Sequence, residues 1–198
     1  MRIGIVGGTG DFGQGLAERL RRAGEEVVLG SRKPHDEFVT NEDVCRLCDV
    51  VFLSIPPQAV ADMCSELASD LHGRIGVSVA SPIVFRDGQP AAAPGEISLA
   101  EQAQLAAPSC RVIAGFHTVS ARALARVEEP LDEDVLLCGD DEDAKAVVSE
   151  LAERIVEGRA VDAGRLEVAR WIEPMTAVLL NVNRRYKANA GVRITGLP

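Results

Sequence analysis

The sequence predicts an α/β fold of Rossmann type, a doubly wound, mainly parallel sheet with a helical cap at its C-terminal end. Three observations carry that expectation. Short β-branched runs alternate with helix-period segments along most of the 198 residues. Those runs are continuously apolar, as in Val50-Val51-Phe52-Leu53-Ser54-Ile55, which fits strands buried on both faces. After Gly164 the strand pattern stops, and 166–189 is helical in period throughout.

Taken in order, strands are expected at 2–7, 26–30, 49–55, 74–79, 111–115 and 134–139, with a weaker one near 159–162. Helices fall between them at about 12–23, 41–48, 57–70, 97–106, 120–126 and 141–157. The acidic run Asp140-Asp141-Glu142-Asp143 sits where the last of these begins. There its carboxylates cap free N–H groups and suit the positive end of the helix dipole. Residues 86–95 are rich in Pro, Gly and Ala and read as a mobile loop beside a site. The segment 165–198 carries Trp171, Ile172, Met175, Val178, Leu179 and Val182, so it must pack on something. A cover for the core and a dimer seam suit it equally. The chain is thus read as 1–164, the α/β unit, followed by 165–198, a helical segment that covers it.

Composition bounds the function. A chain of this length buries about 70% of its unfolded surface and needs neither disulfide nor metal to fold. Thirty acids against 21 bases give −9, which argues against a nucleic-acid or anionic-membrane partner. The charge is uneven, however. Residues 128–157 hold twelve acids and two bases, which leaves the rest of the chain at +1. Uncharged runs such as 75–85 and 174–183 fall short of the roughly 20 apolar residues that span a bilayer. The N-terminus enters a strand directly, without a signal-peptide pattern, and five cysteines suit a reducing compartment, so a cytoplasmic protein is expected. Cys45 and Cys48 form a C-x-x-C with no second pair to complete a zinc site; both are expected as buried thiols on a short helix. No metal site is expected.

Strand 2–7 runs into Gly7-Gly8-Thr9-Gly10-Asp11-Phe12-Gly13 and then an amphipathic helix. That is the setting a G-x-G-x-x-G needs to bind a dinucleotide: Gly8 and Gly10 allow backbone to approach a pyrophosphate, Gly13 lets helix pack on strand, and the helix N-terminus supplies positive potential. The second strand ends in Gly30-Ser31-Arg32-Lys33, where an NAD site usually places an acid for the ribose 2′-hydroxyl. A hydroxyl and two cations suit a 2′-phosphate, so NADP is expected. His117 follows Gly115-Phe116 at a strand's carboxyl end, where α/β folds bind ligands; it is read as a positioning donor, against the plainer reading of a satisfied structural histidine. Arg170 has a plainer reading too, as a partner for Glu167 or Glu173 on its own helix.

These residues resemble the NADPH:F420 oxidoreductases, which pass hydride between NADP and the 8-hydroxy-5-deazaflavin coenzyme F420. The matching segments run from end to end: the glycine loop, Gly30-Ser31-Arg32, Ser54-Ile55-Pro56, Gly115-Phe116-His117-Thr118, Cys138-Gly139-Asp140-Asp141, Asp162-Ala163-Gly164, Asn181 to Tyr186 and Gly191 to Leu197. The resemblance implies that Thr9 to Phe12 line the pyrophosphate, that Ser31 and Arg32 hold the 2′-phosphate, and that Ile55, Pro56, Pro57 and Ala121 border the NADP path. It also implies that His117, Arg170 and Thr176 surround the deazaflavin ring; with the apolar C-terminal segment, the chain is read as a homodimer. Charge pushed into the pyrimidine-like ring by an arriving hydride would be stabilised by such donors. Two departures stand out. Only Pro34 to Cys48 separate the 2′-phosphate turn from the next strand, where the family has a full helix and an extra strand, so a trimmed sheet edge and a more open adenine side are expected. Pro174 stands where the family tends to offer a hydroxyl near the ring. Other functions compatible with the motifs are an NADPH-dependent reductase of a flavin, ferric chelate, imine or small carbonyl, and a dinucleotide-sensing module without turnover.

Overall fold

The computed structural model describes residues 1–93 and 95–197. Pro94 and Pro198, which fall in the expected loop 86–95 and in the C-terminal segment, lie outside the described residues. The elements are β1 (Arg2–Val6), α1 (Asp11–Arg22), β2 (Glu26–Ser31), β3 (Phe38–Thr40), α2 (Asn41–Leu47), β4 (Val50–Leu53), α3 (Val60–Glu66), β5 (Ile75–Ser78), β6 (Ile83–Arg86), β7 (Gln89–Ala92), α4 (Leu99–Ala106), β8 (Arg111–Gly115), α5 (Ala121–Ala125), β9 (Val135–Gly139), α6 (Glu142–Glu153), β10 (Ala160–Asp162), α7 (Ala169–Ile172) and α8 (Met175–Tyr186). Eight strands form one sheet in the order β10-β9-β8-β5-β4-β1-β2-β3. Every pair in it is parallel except β8 with β9.

Both sheet faces are covered, and β4 shows why its run is continuously apolar. Its four residues are fully or almost fully buried. Val51 and Leu53 point to the side packed by α2, α3 and α4, Val50 and Phe52 to the side packed by α1, α5 and α6. Thr40 caps α2 through Asp43 N–H, and Asp141 caps α6 through Ala144 N–H at 2.8 Å with Glu142 and Asp143 in the first turn. Cys45 and Cys48 lie wholly inside, and burial pushes their thiols up to about 12 and about 11.

Three expectations need correction. The stretch 86–95 is not a loop: Arg86 to Ala92 belong to the β6–β7 hairpin, whose two-residue turn Asp87-Gly88 has φ of 50° and 72°. Both values lie in the left-handed region that a type I′ turn requires, and Asp-Gly is a preferred pair for it. At the sheet edge stands a strand absent from the expected elements: Phe38–Thr40 pair in parallel with Leu29–Ser31. Two three-residue segments can be joined by residues 32–37 alone since the chain has little distance to return. Finally, the helix expected at 57–70 begins as a 3-10 turn, Pro57–Ala59, and its α-helical part ends at Glu66.

The C-terminal tail is tied down by one buried carboxylate. Asp134, 1% exposed, accepts from Arg159 N–H (2.9 Å), Ile194 N–H (2.7 Å) and the Arg193 guanidinium (3.1 Å), while its own N–H donates to Val192. Burial alone would raise this carboxyl, but those donors outweigh it and hold it below the ordinary range. Asp134→Ala would strand two backbone donors, at about 3 kcal/mol in total. Thermal unfolding should therefore come about 10 °C earlier for a chain of this size. An unchanged transition would show that the tail adds nothing to stability.

Candidate active site

The glycine turn is fixed by its neighbours. Gly7 has φ of +71°, and a Cβ there would overlap the Ser54 carbonyl oxygen, so both conformation and space require glycine. Its N–H reaches the Asn41 side chain at 3.3 Å, and Gly8 N–H donates to Gly30 at 2.9 Å, which ties the turn to β2. A Cβ at Gly13 would sit 3.0 Å from the Gly8 Cα, so that residue too is set by close approach. Gly10 is the N-cap of α1 and offers no side chain to it. The first-turn amides at Asp11, Phe12 and Gly13 are thus left for an acceptor from outside, at the positive end of a 12-residue helix.

At the end of β2 the Ser31 hydroxyl accepts from Lys33 N–H and donates to the Lys33 carbonyl, both at 3.1 Å. This closes a tight turn that leaves Arg32 and Lys33 exposed. No ion pair engages Arg32 or Lys33 among the described residues, although seventeen others are formed. Of the two acids that follow in sequence, Asp36 and Glu37, the second is paired with Arg21 at 3.0 Å.

Beyond the glycine turn, over the carboxyl ends of β4, β5 and β8, lies a cavity of about 860 Å³. It brings Phe12, Ile55, Pro56 and Ala121 together with His117 and Thr176. The remaining loop residues Gly7, Gly8, Thr9, Gly10, Asp11 and Gly13, with Ser31, Arg32 and Lys33, flank it on the β1–β2 side and are not in its wall. Pro57 and Arg170 line a second, smaller cavity of about 340 Å³ beside α4. Arg170 there makes two bonds to Glu101, one at 2.8 Å, and with Ser98 holds that carboxyl at about 2 despite its burial. The pairing with Glu167 or Glu173 on its own helix is not the one formed. Glu173 instead accepts from the Leu99 and Ala100 amides, both at 2.9 Å, and burial pushes its carboxyl up to about 7 against those two donors.

His117 is where the chain turns into the cavity. Phe116 before it has φ of +66° and is buried edge-on against Phe52, with ring centroids 5.4 Å apart. A bulky residue in that region is strained, and such strain gathers at functional sites. The imidazole is 4% exposed, and neither ring nitrogen has a hydrogen-bond partner. Burial lowers it to about 4 while the Ala80 backbone acts weakly in the opposite sense, so the ring is neutral at pH 7 and lies beside the cavity with both nitrogens enclosed. A third buried atom, Glu133 Oε2, is also without a hydrogen-bond partner, and burial pushes that carboxyl up to about 7. Thr176, on α8, donates to the His117 carbonyl at 2.7 Å and meets Ser81 at 2.7 Å.

The cavity wall contains Arg122, Arg184 and Lys187 and not one acidic residue. In a chain of charge −9 this makes it a local sink for anions. Sequence reasoning missed those three bases, Ser81, and the hairpin residues Phe85 and Pro90 that complete the wall. Only the Asp-Gly turn advertised the hairpin in the sequence.

Residues 2–82 match the family model for NADP oxidoreductase, coenzyme F420-dependent. The chain is 38% identical to the F420-dependent NADP reductase of Methanothermobacter thermautotrophicus, over all of this chain and 96% of that protein. It is 35% identical to the F420-dependent NADP reductase of Methanocaldococcus jannaschii, over all of this chain and 99% of that protein. A crystal structure of a candidate F420-dependent NADP reductase from Arthrobacter sp. FB24 superposes with a TM-score of 0.87 at 25% identity, covering 99% of this chain and 100% of that one.

Proposed function

The chain belongs to the family of F420-dependent NADP reductases, and on that premise we propose how its residues divide the work of moving hydride directly between NADP(H) and coenzyme F420. The nucleotide and the deazaflavin supply the hydride chemistry; the protein binds, orients and excludes water. The open amides of α1 receive the pyrophosphate, Ser31, Arg32 and Lys33 the 2′-phosphate, and Ile55, Pro56 and Ala121 the path toward the nicotinamide. His117 provides a neutral donor where charge accumulates on the acceptor ring, and Thr176 fixes the His117 backbone. Arg170 reaches that ring only if it leaves Glu101. Orientation of two bound reactants can remove roughly 7–11 kcal/mol of barrier, and no acid or base is needed for hydride itself.

The observation that carries this reading is the cavity, which joins the glycine-loop residue Phe12 to an unpartnered buried imidazole without one acidic side chain in its wall. Mixing the protein with NADP and reduced coenzyme F420 should restore deazaflavin absorbance. Flavin mononucleotide in place of F420 should give no turnover. Absence of change with F420 alongside turnover of the flavin would sink the proposal.

Residues 1–164 then serve as the nucleotide-binding unit and 165–198 as the cover, with Leu166, Ala169 and Ile172 buried in the common core. Trp171 on α7 and Val178 on α8 are 76% and 62% exposed, and we assign these two apolar side chains to a homodimer seam. Five unpaired cysteines support a cytoplasmic setting, and no described helix is long and apolar enough to cross a membrane.

A further inference from the structure

The hydroxyl pair above His117 has a fixed direction. Thr176 has one proton and gives it to the His117 carbonyl, which can only accept, at 2.7 Å. The 2.7 Å contact between Thr176 Oγ1 and Ser81 Oγ must then be donated by Ser81. With its proton spent, Ser81 can only accept from anything else that meets it, and it lies in the cavity wall. Its backbone is held as well: the Ser81 carbonyl accepts from Ile83 N–H at 2.8 Å, and the next carbonyl, that of Pro82, accepts from Ala93 N–H at 2.7 Å, which pins the root of the hairpin.

We propose that Ser81 Oγ, polarised by Thr176, is the acceptor for the carboxamide NH₂ of the nicotinamide and sets which way that ring is turned in the cavity. The assignment rests on the NADP reading above. Ser81 follows β5, next to β4 and two strands from β1. In a doubly wound sheet the pyrophosphate sits over β1, and the 2′-phosphate residues at the end of β2 place the adenosine half on that side. The other half must extend over β4 and β5, where Ser81 is the hydroxyl whose proton is already committed. A carboxamide offers two N–H donors and needs a fixed acceptor if the ring is not to rotate. The imide N–H of the deazaflavin is the same chemistry from a second source, and the experiment separates the two.

The test compares NADPH with 3-acetylpyridine adenine dinucleotide phosphate (reduced form), which keeps the carbonyl but has a methyl group in place of NH₂. In Ser81→Ala, kcat/KM should fall about tenfold to a hundredfold with NADPH and less than about twofold with the analogue, since a polar site discriminates by what it leaves unpaired. Thr176→Val, which frees the Ser81 proton to rotate, should show the same selective loss, and Thr176→Ser should restore it. Calorimetric binding of the two oxidised nucleotides, with no F420 present, should reproduce the selectivity. Equal losses with both nucleotides, or a defect confined to the KM for F420, would overturn the carboxamide assignment. If the wild-type protein turns over no F420 at all, the proposed function fails, and the binding ratio still decides the role of Ser81.

Discussion

In Arg32→Glu, kcat/KM for NADPH is expected to fall by two to three orders of magnitude while that for NADH moves by no more than about twofold. The substitution removes one cation and adds one anion beside a group carrying close to two negative charges. At surface dielectric, charges a few ångströms apart interact by about 4 kcal/mol before screening, and salt and exposure reduce that to a fraction per pair. Two reversed charge contacts therefore amount to about 3–4 kcal/mol, or a factor of several hundred. Arg32 is suited to the role because no described residue pairs with it, so an incoming phosphate displaces no partner. Lys33→Ala should have the same sign and a smaller size, since an ammonium lacks the two-pronged geometry of a guanidinium. The effect should shrink at 0.5 M salt. Equal losses with both nucleotides would refute the 2′-phosphate assignment and place Arg32 in the fold instead.

How far the sequence disclosed this molecule depends on how much local chemistry each part required. β1, β4 and β8 are buried on both faces, so they had to be written as unbroken apolar runs, and they lie within two residues of their expected ends. β3 is three residues long and half-buried, with nothing to distinguish Phe38-Val39-Thr40 from a turn. The β6–β7 hairpin was masked by Pro90 and three alanines, though Asp87-Gly88 carried its turn. The dinucleotide loop was legible because a helix N-terminus and a tight turn leave few alternatives to glycine. Ser81 and the ring of bases were not legible, because their meaning is the cavity, and a cavity is assembled from segments far apart in the chain. Arg170 shows the reverse case. Its type suggested an anion, but the capping box at Ser98 and Glu101 already placed a carboxylate within its reach. The acidic block 128–157 also changed meaning. Most of it is solvated, yet Glu133 and Asp134 are buried, and Asp134 anchors the tail whose start, Lys187 to Ala190, borders the cavity.

His117→Leu should lower kcat by about a hundredfold to a thousandfold, the usual cost of losing one preorganised donor, with KM for NADPH changed only a few-fold. The same substitution should leave the free protein at least as stable as wild type near pH 5, for a reason that can be measured separately. The native imidazole is held near 4 by burial, whereas an unfolded chain's histidine titrates near 6.5. As pH falls from about 6.5 the unfolded state takes up the proton first, so the wild type loses stability until about pH 4, by roughly 3 kcal/mol in all. Glu133 and Glu173, both raised to about 7, act in the opposite sense: their contribution is fully present below the ordinary carboxylate range and is lost as pH rises through 7. Those residues are common to both proteins and cancel in the difference. Subtracting the unfolding free energies of wild type and His117→Leu across pH 4–8 should leave a single-proton slope confined to pH 4–6.5. Its absence would mean the imidazole is charged in the folded state, and retained kcat would mean that it only fills space. A histidine that weakens the apo fold and is needed for turnover is the joint outcome expected if the hydrogen bond this buried imidazole lacks forms when the reactants bind.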